Sequence, residues 1–259
     1  MPAPCRMALL RLTGHVPYSV GLAQMESAAA VVKATPSLAG CLLLLEHLPV
    51  ISVGRRLRPK GGGDDSLPPD VVLSPEEIAK QFDAEIHVSP RGGKVTCHMP
   101  GQVVAYPIVN LRALPGKSSA TLGVREYVHA LEDAVSQSCA SFDAPFDRVK
   151  PGREPGREGA WVEGTQRKIA SVGVRVSAGI ATHGVALNVS NDLRLFDAVV
   201  PCGLEGVTMT SMWNENGGSG PTFDDVASKL ACAIADNIGA QPVWLDAAAE
   251  LDARLLENV

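Results

Sequence analysis

Glycine and proline interrupt this 259-residue chain so often that only short secondary structure elements fit between them. The sequence holds 25 glycines and 19 prolines, residues that mark turns and the ends of helices and strands. Apolar runs of strand length, at 41–46 and 103–109, are interleaved with helical periodicity at 18–33 and 122–142. Because no regular βαβ repeat emerges, the pattern predicts a mixed-sheet α/β or α+β domain rather than a doubly wound parallel sheet.

Local patterns predict several element boundaries. Ser74 followed by Pro75 and Glu77 is the signature of a capped helix start. The apolar residues 50–53 are expected to extend the strand at 41–46, and residues 246–257 to form a last helix.

Two segments without apolar periodicity are expected to be surface connections. Residues 58–69 contain three consecutive glycines, and residues 150–159 repeat Pro-Gly-Arg-Glu twice. Neither separates regions of different composition, as a linker between domains would. We therefore expect a single domain over residues 1–259, with its core at about 10–240.

Charge and cysteine spacing exclude several classes of protein. Lys and Arg number 23 against 28 Asp and Glu, a formal charge of −5, which argues against a nucleic-acid-binding protein. The longest apolar run is strand-sized, far below the roughly 18 residues of a membrane span. The six cysteines show no metal-ligand spacing, so we expect no bound metal, reduced thiols and an intracellular compartment. No secretory signal is recognised, and the acid-free stretch before Glu26 is compatible with a mitochondrial presequence.

Residues 91–102 form the first of four segments that favour a functional interpretation. Their glycine pair lets the backbone approach a ligand closely, and its amides can face an acyl oxygen or an anion. A glycine pair beside an arginine is more often a turn. An Arg, a Thr, a His and a Gln within one short glycine-rich stretch favour a binding loop instead. It is not a Walker A loop, because GxxxxGK[ST] is absent.

Lys168, in the second segment, has two interpretations. Strand alternation places it on a face with Ala170 and Val172. It is either a lysine at a strand end whose amine reaches water, or a partly buried amine whose pKa is lowered enough to act as a base. The residues alone favour the first.

His183 and Cys202 belong to the third and fourth segments. A lone histidine before a strand is more often structural than catalytic. Pro201 and Gly203 would expose the Cys202 thiol in a turn, although the motif is weak by itself. The other cysteines lie mainly in apolar patterns, where cysteine behaves as a small hydrophobic residue.

Together the four segments resemble the lipoyl(octanoyl) transferase family. The family patterns RGGxxTxHxPGQ, KIAxxGVR, THGxALN and PCG match residues 91–102, 168–175, 182–188 and 201–203, and an upstream EHxPVxxxGRR pattern matches 46–56. The matches run in family order from about residue 10 to 212. The resemblance implies the fold of biotin and lipoate protein ligases, a mixed β-sheet with flanking helices and an acyl pocket at one end.

The resemblance also implies a mechanism. Cys202 is the nucleophile and Lys168 lowers its pKa. Octanoyl, or lipoyl, passes from acyl carrier protein to Cys202 as a thioester and then to a lysine of a lipoyl domain, in lipoate biosynthesis. The acceptors are the lipoyl domains of 2-oxoacid dehydrogenase acyltransferase subunits and the glycine cleavage H protein. No cofactor, metal, nucleic acid or membrane is implied. The expected compartment is mitochondrial, or cytoplasmic for a bacterial protein.

The family pattern assigns the acyl-binding residues to three stretches. They are Arg91, Gly92, Gly93, Lys94, Val95, Thr96, Cys97 and His98; Ser171, Val172 and Gly173; and His183, Gly184, Val185 and Ala186. The basic run 55–60 is either a docking patch for an acidic carrier or a solvated loop. Three positions depart from the family pattern, of which Lys94 occupies a variable slot. Met99, where the family usually has Gly, is expected to narrow or reshape the loop. Cys97, in place of an aromatic residue, is expected to put a second thiol near the pocket.

Two other functions remain open at this stage. An ATP-dependent lipoate or biotin ligase on the same fold activates its acid as an adenylate and needs no nucleophilic cysteine. A catalytically inactive binding module would be expected to lack Cys202 or Lys168, and both are present.

Overall fold

Short apolar runs form twelve strands in the part of the chain that the structure, a computed structural model, describes: residues 5–35, 38–57, 67–116, 120–200 and 206–245. The strands are β1 (Arg6–Val16), β2 (Leu38–His47), β3 (Val50–Val53), β4 (Glu85–Val88), β5 (Val95–His98), β6 (Gln102–Asn110), β7 (Val149–Pro151), β8 (Ala160–Val162), β9 (Arg167–Ser177), β10 (Ile180–Asn188), β11 (Thr208–Met209) and β12 (Gln241–Trp244). The α-helices are α1 (Tyr18–Ala34), α2 (Pro75–Phe82), α3 (Val124–Ala140), α4 (Met212–Glu215) and α5 (Phe223–Asn237). Three 3₁₀ turns cover Arg55–Leu57, Phe146–Arg148 and Leu193–Ala198.

A large mixed sheet carries most of these strands. Its order is β12-β1-β2-β6-β10-β9-β8-β7, and β11 pairs with β9 outside that path. β1 runs parallel to β2 and β12, whereas β6, β10, β9, β8 and β7 are antiparallel to their neighbours along the sheet. The predicted mixed sheet with flanking helices is confirmed.

The main sheet is buried on both faces. Leu42 and Leu44 of β2 pack in the cluster that includes α3 and α5. Leu43 and Leu45 pack in the cluster that includes α1. A strand covered on both faces appears in sequence as a continuous apolar run, which explains why 41–46 shows no alternation.

A second sheet, with strand order β4-β3-β5, lies beside the first. The prediction that residues 50–53 extend β2 is wrong: β3 pairs with β4 and β5 instead. Pro49 has no N–H to continue the ladder, and Leu48 donates its N–H to Val16 O at 3.2 Å. α2 begins with the predicted capping box, in which Ser74 and Glu77 exchange hydrogen bonds.

Two predicted features lie partly or wholly outside the described residues. They are the helix at 246–257 and the first nine residues of the segment 58–69. Within the described ranges, none of the helices has the combination of length and apolar character that crossing a bilayer would require.

Candidate active site

A cavity of about 270 Å³ lies between the main sheet and the second sheet. Every predicted acyl-binding residue except Gly92 and Cys97 lines it, as does Lys168. The lining residues from the prediction are Arg91, Gly93, Lys94, Val95, Thr96, His98, Lys168, Ser171, Val172, Gly173, His183, Gly184, Val185 and Ala186. The other described lining residues are Tyr18, Arg56, Tyr106, Gly156 and Glu158, none of which was predicted to bind the acyl group.

Backbone hydrogen bonds hold the glycine loop between the two sheets. Gly92 donates its N–H to Val174 O of β9 at 2.9 Å, and Gly54 donates to Lys94 O at 2.7 Å. The Gly92 N–H is therefore committed to the scaffold. Gly93 and Lys94 line the cavity, and their N–H groups bond to no backbone acceptor within the described part of the chain, so these two amides are candidate donors to a ligand.

The Arg91 guanidinium is fixed by the second sheet. Its Nη2 donates to Ser52 O at 2.5 Å, and its Nε donates to Ser52 Oγ at 3.1 Å. The same Ser52 hydroxyl is 2.9 Å from the Tyr18 hydroxyl at the start of α1. Arg91 is only 7% exposed, so this small network holds a positive charge at the cavity wall.

Lys168 is buried, with 1% of its surface exposed. The interpretation of a strand-end lysine that reaches water is therefore wrong. Thr210 donates its N–H to Lys168 O at 2.9 Å, and Met209 of β11 pairs with Lys168 across the sheet. The ammonium Nζ lies 5.2 Å from the centre of the Trp161 ring, within the range of a cation–π interaction. An amine held this way, beside a cavity and away from bulk water, can exchange protons with a bound group.

His98 is anchored by a chain of side-chain amides. The Asn188 amide nitrogen donates to Thr210 O at 2.9 Å, which leaves Asn188 Oδ1 to accept from Gln102 Nε2 at 2.9 Å. Gln102 Nε2 also donates to the Cys97 carbonyl, so Gln102 Oε1 must be the atom that faces His98 Nδ1 at 2.8 Å.

This series of hydrogen bonds assigns the tautomer of His98. Because Gln102 Oε1 can only accept, His98 Nδ1 carries the proton and Nε2 keeps a lone pair. Burial, the neighbouring His47 and Arg91 all lower the pKa of His98 well below its ordinary value, although the bond to Gln102 opposes them. His98 is therefore a neutral hydrogen-bond acceptor at the cavity wall, suited to orienting a ligand.

His47 lies beneath His98 and was not selected from the sequence. Its Nδ1 donates to Val16 O at 2.9 Å, so its Nε2 accepts from the Tyr106 hydroxyl at 2.9 Å. The rings of His47 and His98 are 5.4 Å apart, centre to centre. Burial lowers the pKa of His47 to about 4, although its hydrogen bond to Val16 O acts in the opposite direction.

Glu46, the residue before His47, accepts the Gly101 N–H at 2.8 Å and so fixes the end of the glycine loop. The Glu-His pair that begins the pattern at 46–56 is the sequence feature that could have identified Glu46 and His47.

His183 adopts a left-handed backbone conformation, with φ of 59°. Opposite it, Pro107 of β6 lacks an N–H and interrupts the ladder between β6 and β10. A Cβ on Gly184 would lie 2.4 Å from both Ala105 O and Pro107 Cδ, so only glycine fits there. The His183 imidazole is 1% exposed, and neither nitrogen has a hydrogen-bond partner among the described residues. Burial lowers its pKa to about 3, helped by Arg91 and Arg175.

Neither of the two family departures, Cys97 and Met99, lines the cavity. Cys97 lies between the lining residues Thr96 and His98, but its side chain is fully buried in the cluster around β5, where burial raises the pKa of its thiol. Met99 packs in the same cluster, and its Sδ accepts from Asn191 Nδ2 at 3.0 Å. The effect of Met99 on the shape of the loop stays a prediction.

Residues 150–159 are more than the predicted surface connection. Gly156 and Glu158 line the cavity, and Gly159 is buried. Arg56, from the basic run 55–60, also lines the cavity, whereas residues 58–60 lie outside the described residues.

The predicted nucleophile, Cys202, lies outside the described residues. The described residues on either side are well anchored. Val200 donates its N–H to Asp70 O at 2.7 Å, and Thr208 pairs with Arg167, next to Lys168.

Comparisons with known proteins agree with this geometry. The family model for the lipoyl protein ligase A/B catalytic domain matches residues 17–235. The octanoyltransferase of Koribacter versatilis is 36% identical over 239 residues, 92% of this chain and 87% of its own. That of Desulfovibrio desulfuricans is 41% identical over 192 residues, 73% of this chain and 70% of its own.

Solved structures show the same fold. A bipartite lipoate protein ligase from Thermoplasma acidophilum is 14% identical with a TM-score of 0.60, covering 98% of this chain and 91% of its own. A lipoate-protein ligase A bound with ATP is 16% identical with a TM-score of 0.61, covering 98% and 93%. The predicted lipoate-ligase-like fold is confirmed.

The similar octanoyltransferases come from bacteria, so the mitochondrial prediction is not supported. The family-model match and the sequence similarity over most of the chain lead to one conclusion. The chain belongs to the lipoyl protein ligase A/B catalytic domain family, among its octanoyltransferases, and is an acyltransferase.

Proposed function

We propose that this chain transfers an octanoyl group from octanoyl-acyl carrier protein to a specific lysine of a lipoyl domain, through a thioester on Cys202. The observation that carries the proposal is Lys168, a lysine that is 1% exposed at the wall of a cavity bounded by the glycine loop. Small residues, among them Ser171, Gly173 and Ala186, leave room in this cavity for an acyl chain.

The first half of the reaction loads the enzyme. Lys168, as the neutral amine, takes the proton of the Cys202 thiol, and the thiolate attacks the carbonyl carbon of the octanoyl thioester. The bond from that carbon to the carrier sulfur then breaks, and the leaving thiolate takes the proton back from the Lys168 ammonium. One thioester is exchanged for another, at little cost in free energy.

The second half releases the product. The neutral amine of the acceptor lysine attacks the Cys202 thioester and passes a proton to Lys168. The carbon–sulfur bond breaks, the Cys202 thiolate takes that proton from the Lys168 ammonium, and a stable amide remains. Each tetrahedral intermediate carries an oxyanion, for which the Gly93 and Lys94 amides at the cavity wall are the candidate donors. His98 and His183, neutral and buried at the same wall, would orient the acyl group.

The anchoring of the flanking residues supports the pairing of Cys202 with Lys168. Val200 is bonded to Asp70, and Met209 pairs with Lys168 itself, so the chain on the far side of Cys202 returns to the strand that holds the amine. The basic residues at 55–60 would receive the acidic carrier, with Arg56 already at the cavity wall.

The remaining assignments are what the family resemblance implies. The acceptors are the lipoyl domains of 2-oxoacid dehydrogenase acyltransferase subunits and the H protein. The reaction needs no cofactor, and residues 1–259 form a single catalytic domain. Since the similar octanoyltransferases are bacterial, the proposed compartment is the cytoplasm.

Intact-mass analysis tests the proposal. Incubation with octanoyl-carrier and no ATP should add one octanoyl group to the wild-type protein. Cys202→Ala should remain unmodified, and Lys168→Met should acylate far more slowly. Transfer that depends on ATP and free octanoate, with no adduct on Cys202, would instead identify an ATP-dependent ligase. Carrier binding without any transfer would identify a binding module.

A further inference from the structure

Residues 152–159 form a wall of the candidate active site behind Lys168. A Cβ placed on Gly159 would lie 3.0 Å from Lys168 Cε and 2.2 Å from Ala170 O. Gly159 also has φ of 120°, a conformation that favours glycine. The backbone at Gly159 therefore limits where the Lys168 side chain can lie.

The two ends of this loop are held by one carboxylate. Glu132 of α3 is 1% exposed, and its Oε1 accepts the Gly159 N–H at 2.9 Å. Its Oε2 accepts from Arg153 Nη1 at 3.1 Å. Gly152 donates its N–H to Gly159 O at 2.8 Å and closes the loop. Burying a carboxylate is costly unless it is fully hydrogen-bonded, and here both oxygens are engaged by the loop.

The second Pro-Gly-Arg-Glu unit connects the loop to the aromatic neighbour of Lys168. The Arg157 guanidinium lies 3.9 Å from the centre of the Trp161 ring, and Trp161 Nε1 donates to Arg157 O at 2.7 Å. The same ring is 5.2 Å from Lys168 Nζ. The repeated sequence thus supplies Arg153 for Glu132 and Arg157 for Trp161.

We propose that Glu132 is a positioning residue for Lys168, acting through Gly159. The carboxylate holds the loop against the lysine stem, so that the amine meets the reacting groups in one orientation. This inference rests on the proposed function, in which Lys168 moves the protons of both acyl-transfer steps. Misplacing a catalytic group by about 1 Å typically costs roughly 100-fold in rate. Loss of the carboxylate should therefore slow the chemistry, with little effect on carrier binding.

The test uses three variants of the full chain. Glu132→Met keeps the side-chain size but removes both acceptors. Glu132→Gln keeps an oxygen that can accept the Gly159 N–H. Asp133→Asn is the matched control, because Asp133 also pairs with Arg153 but is 40% exposed. The rate of octanoyl loading at saturating octanoyl-carrier, and the KM for the carrier, are measured per acylatable Cys202, well below each variant's unfolding temperature.

We expect Glu132→Met to load octanoyl about 10- to 100-fold more slowly, with its KM within about 3-fold of wild type. Glu132→Gln should recover most of the rate, and Asp133→Asn should be unchanged. A merely structural role would reduce the amount of active protein and leave the rate per active site unaltered. If Glu132→Met does not fold, Glu132→Ala provides the same comparison.

The inference is overturned if Glu132→Met loads at the wild-type rate, or if Glu132→Gln is as slow as a folded Glu132→Met. Failure of the proposed function looks different: Cys202→Ala or Lys168→Met would then still form the acyl-enzyme. If Glu132→Met is fully active while Cys202→Ala and Lys168→Met are inactive, the role of Glu132 is overturned and the proposed function stands.

Discussion

Acidification should destabilise this fold through its buried histidines well before its carboxylates are protonated. Burial lowers the pKa of His47 to about 4 and of His183 to about 3, from the ordinary 6.5. His98 shifts in the same direction, with His47, Arg91 and His183 among the causes. In the unfolded chain these rings bind protons below about pH 6.5, while in the folded chain they stay neutral. The contribution of these histidines to stability is therefore complete above their pKa in the unfolded chain. It is lost as the pH falls towards their pKa values in the folded chain.

The magnitude follows from proton linkage. Each such histidine lowers the free energy of unfolding by about 1.4 kcal/mol for every pH unit below 6.5. Between pH 7 and pH 5, His47 and His183 together should lower the free energy of unfolding by about 4 kcal/mol, and His98 adds to this. Glu132 opposes the trend, because burial raises its pKa. Carboxylates with lowered pKa values, such as Asp192, lose their contribution only below about pH 4. A loss of this size is a large part of the 5–15 kcal/mol typical of a domain.

Urea unfolding at pH 7 and pH 5 measures the effect. His183→Asn should reduce the pH-dependent loss by about 2 kcal/mol, since it removes one titrating ring. Asparagine tolerates the left-handed backbone at this position. His15→Asn, at an exposed histidine, is the control and should leave the loss unchanged. A change below about 1 kcal/mol in the wild type, or an unaltered loss in His183→Asn, would refute the reasoning.

Three further outcomes follow from the site. Ser52→Ala removes an acceptor of Arg91 and should lower the free energy of unfolding by about 1–3 kcal/mol in urea titrations. The same variant should raise the KM for octanoyl-carrier. An unchanged KM would exclude Arg91 from substrate binding. Gly184→Ala forces a Cβ to within 2.4 Å of Ala105 O and should cost about 1–3 kcal/mol in thermal unfolding, whereas a neutral effect would contradict the close approach. Cys97 should resist iodoacetamide in the folded protein by peptide mass mapping, because its thiol is buried and its pKa raised; prompt labelling would show that the site opens.

Helix boundaries were predictable where local chemistry decides them. α1 was expected at 18–33 and spans Tyr18–Ala34. α2 begins where Ser74 caps it. Caps and periodicity act within a few residues, so the sequence alone contains the necessary information. The same holds for β6, whose β-branched and aromatic residues fill a strand buried on both faces.

Sheet membership and the walls of the site were less predictable because they depend on distant residues. β3 follows β2 after two residues, yet it pairs with β4 and β5. The 152–159 loop has the composition of a surface turn, yet Gly156 and Glu158 line the cavity and Glu132 holds the loop through Gly159. Nothing in the spacing of positions 132 and 159 signals that contact.

The candidate site shows the same division between motif and tertiary contact. The glycine loop and the strands of Lys168 and His183 were recognisable from sequence, since each carries several chemically distinctive residues in a short stretch. Tyr18 and Tyr106 were not, because each lies in an ordinary apolar pattern and reaches the cavity only through helix packing or strand alternation.

Met99 illustrates why a departure from a motif need not alter the site. The residue follows the last residue of β5, His98, and its side chain packs in the cluster around β5 rather than at the cavity wall. There it packs near Leu195 and accepts a hydrogen bond from Asn191. Gly173 and Gly184 of the cavity wall differ from Met99 in this respect, because a Cβ there would meet neighbouring backbone at 3.1 and 2.4 Å. Substitutions at Met99 should therefore change stability before they change which acyl group is transferred, whereas a side chain at Gly173 or Gly184 should displace the cavity wall itself.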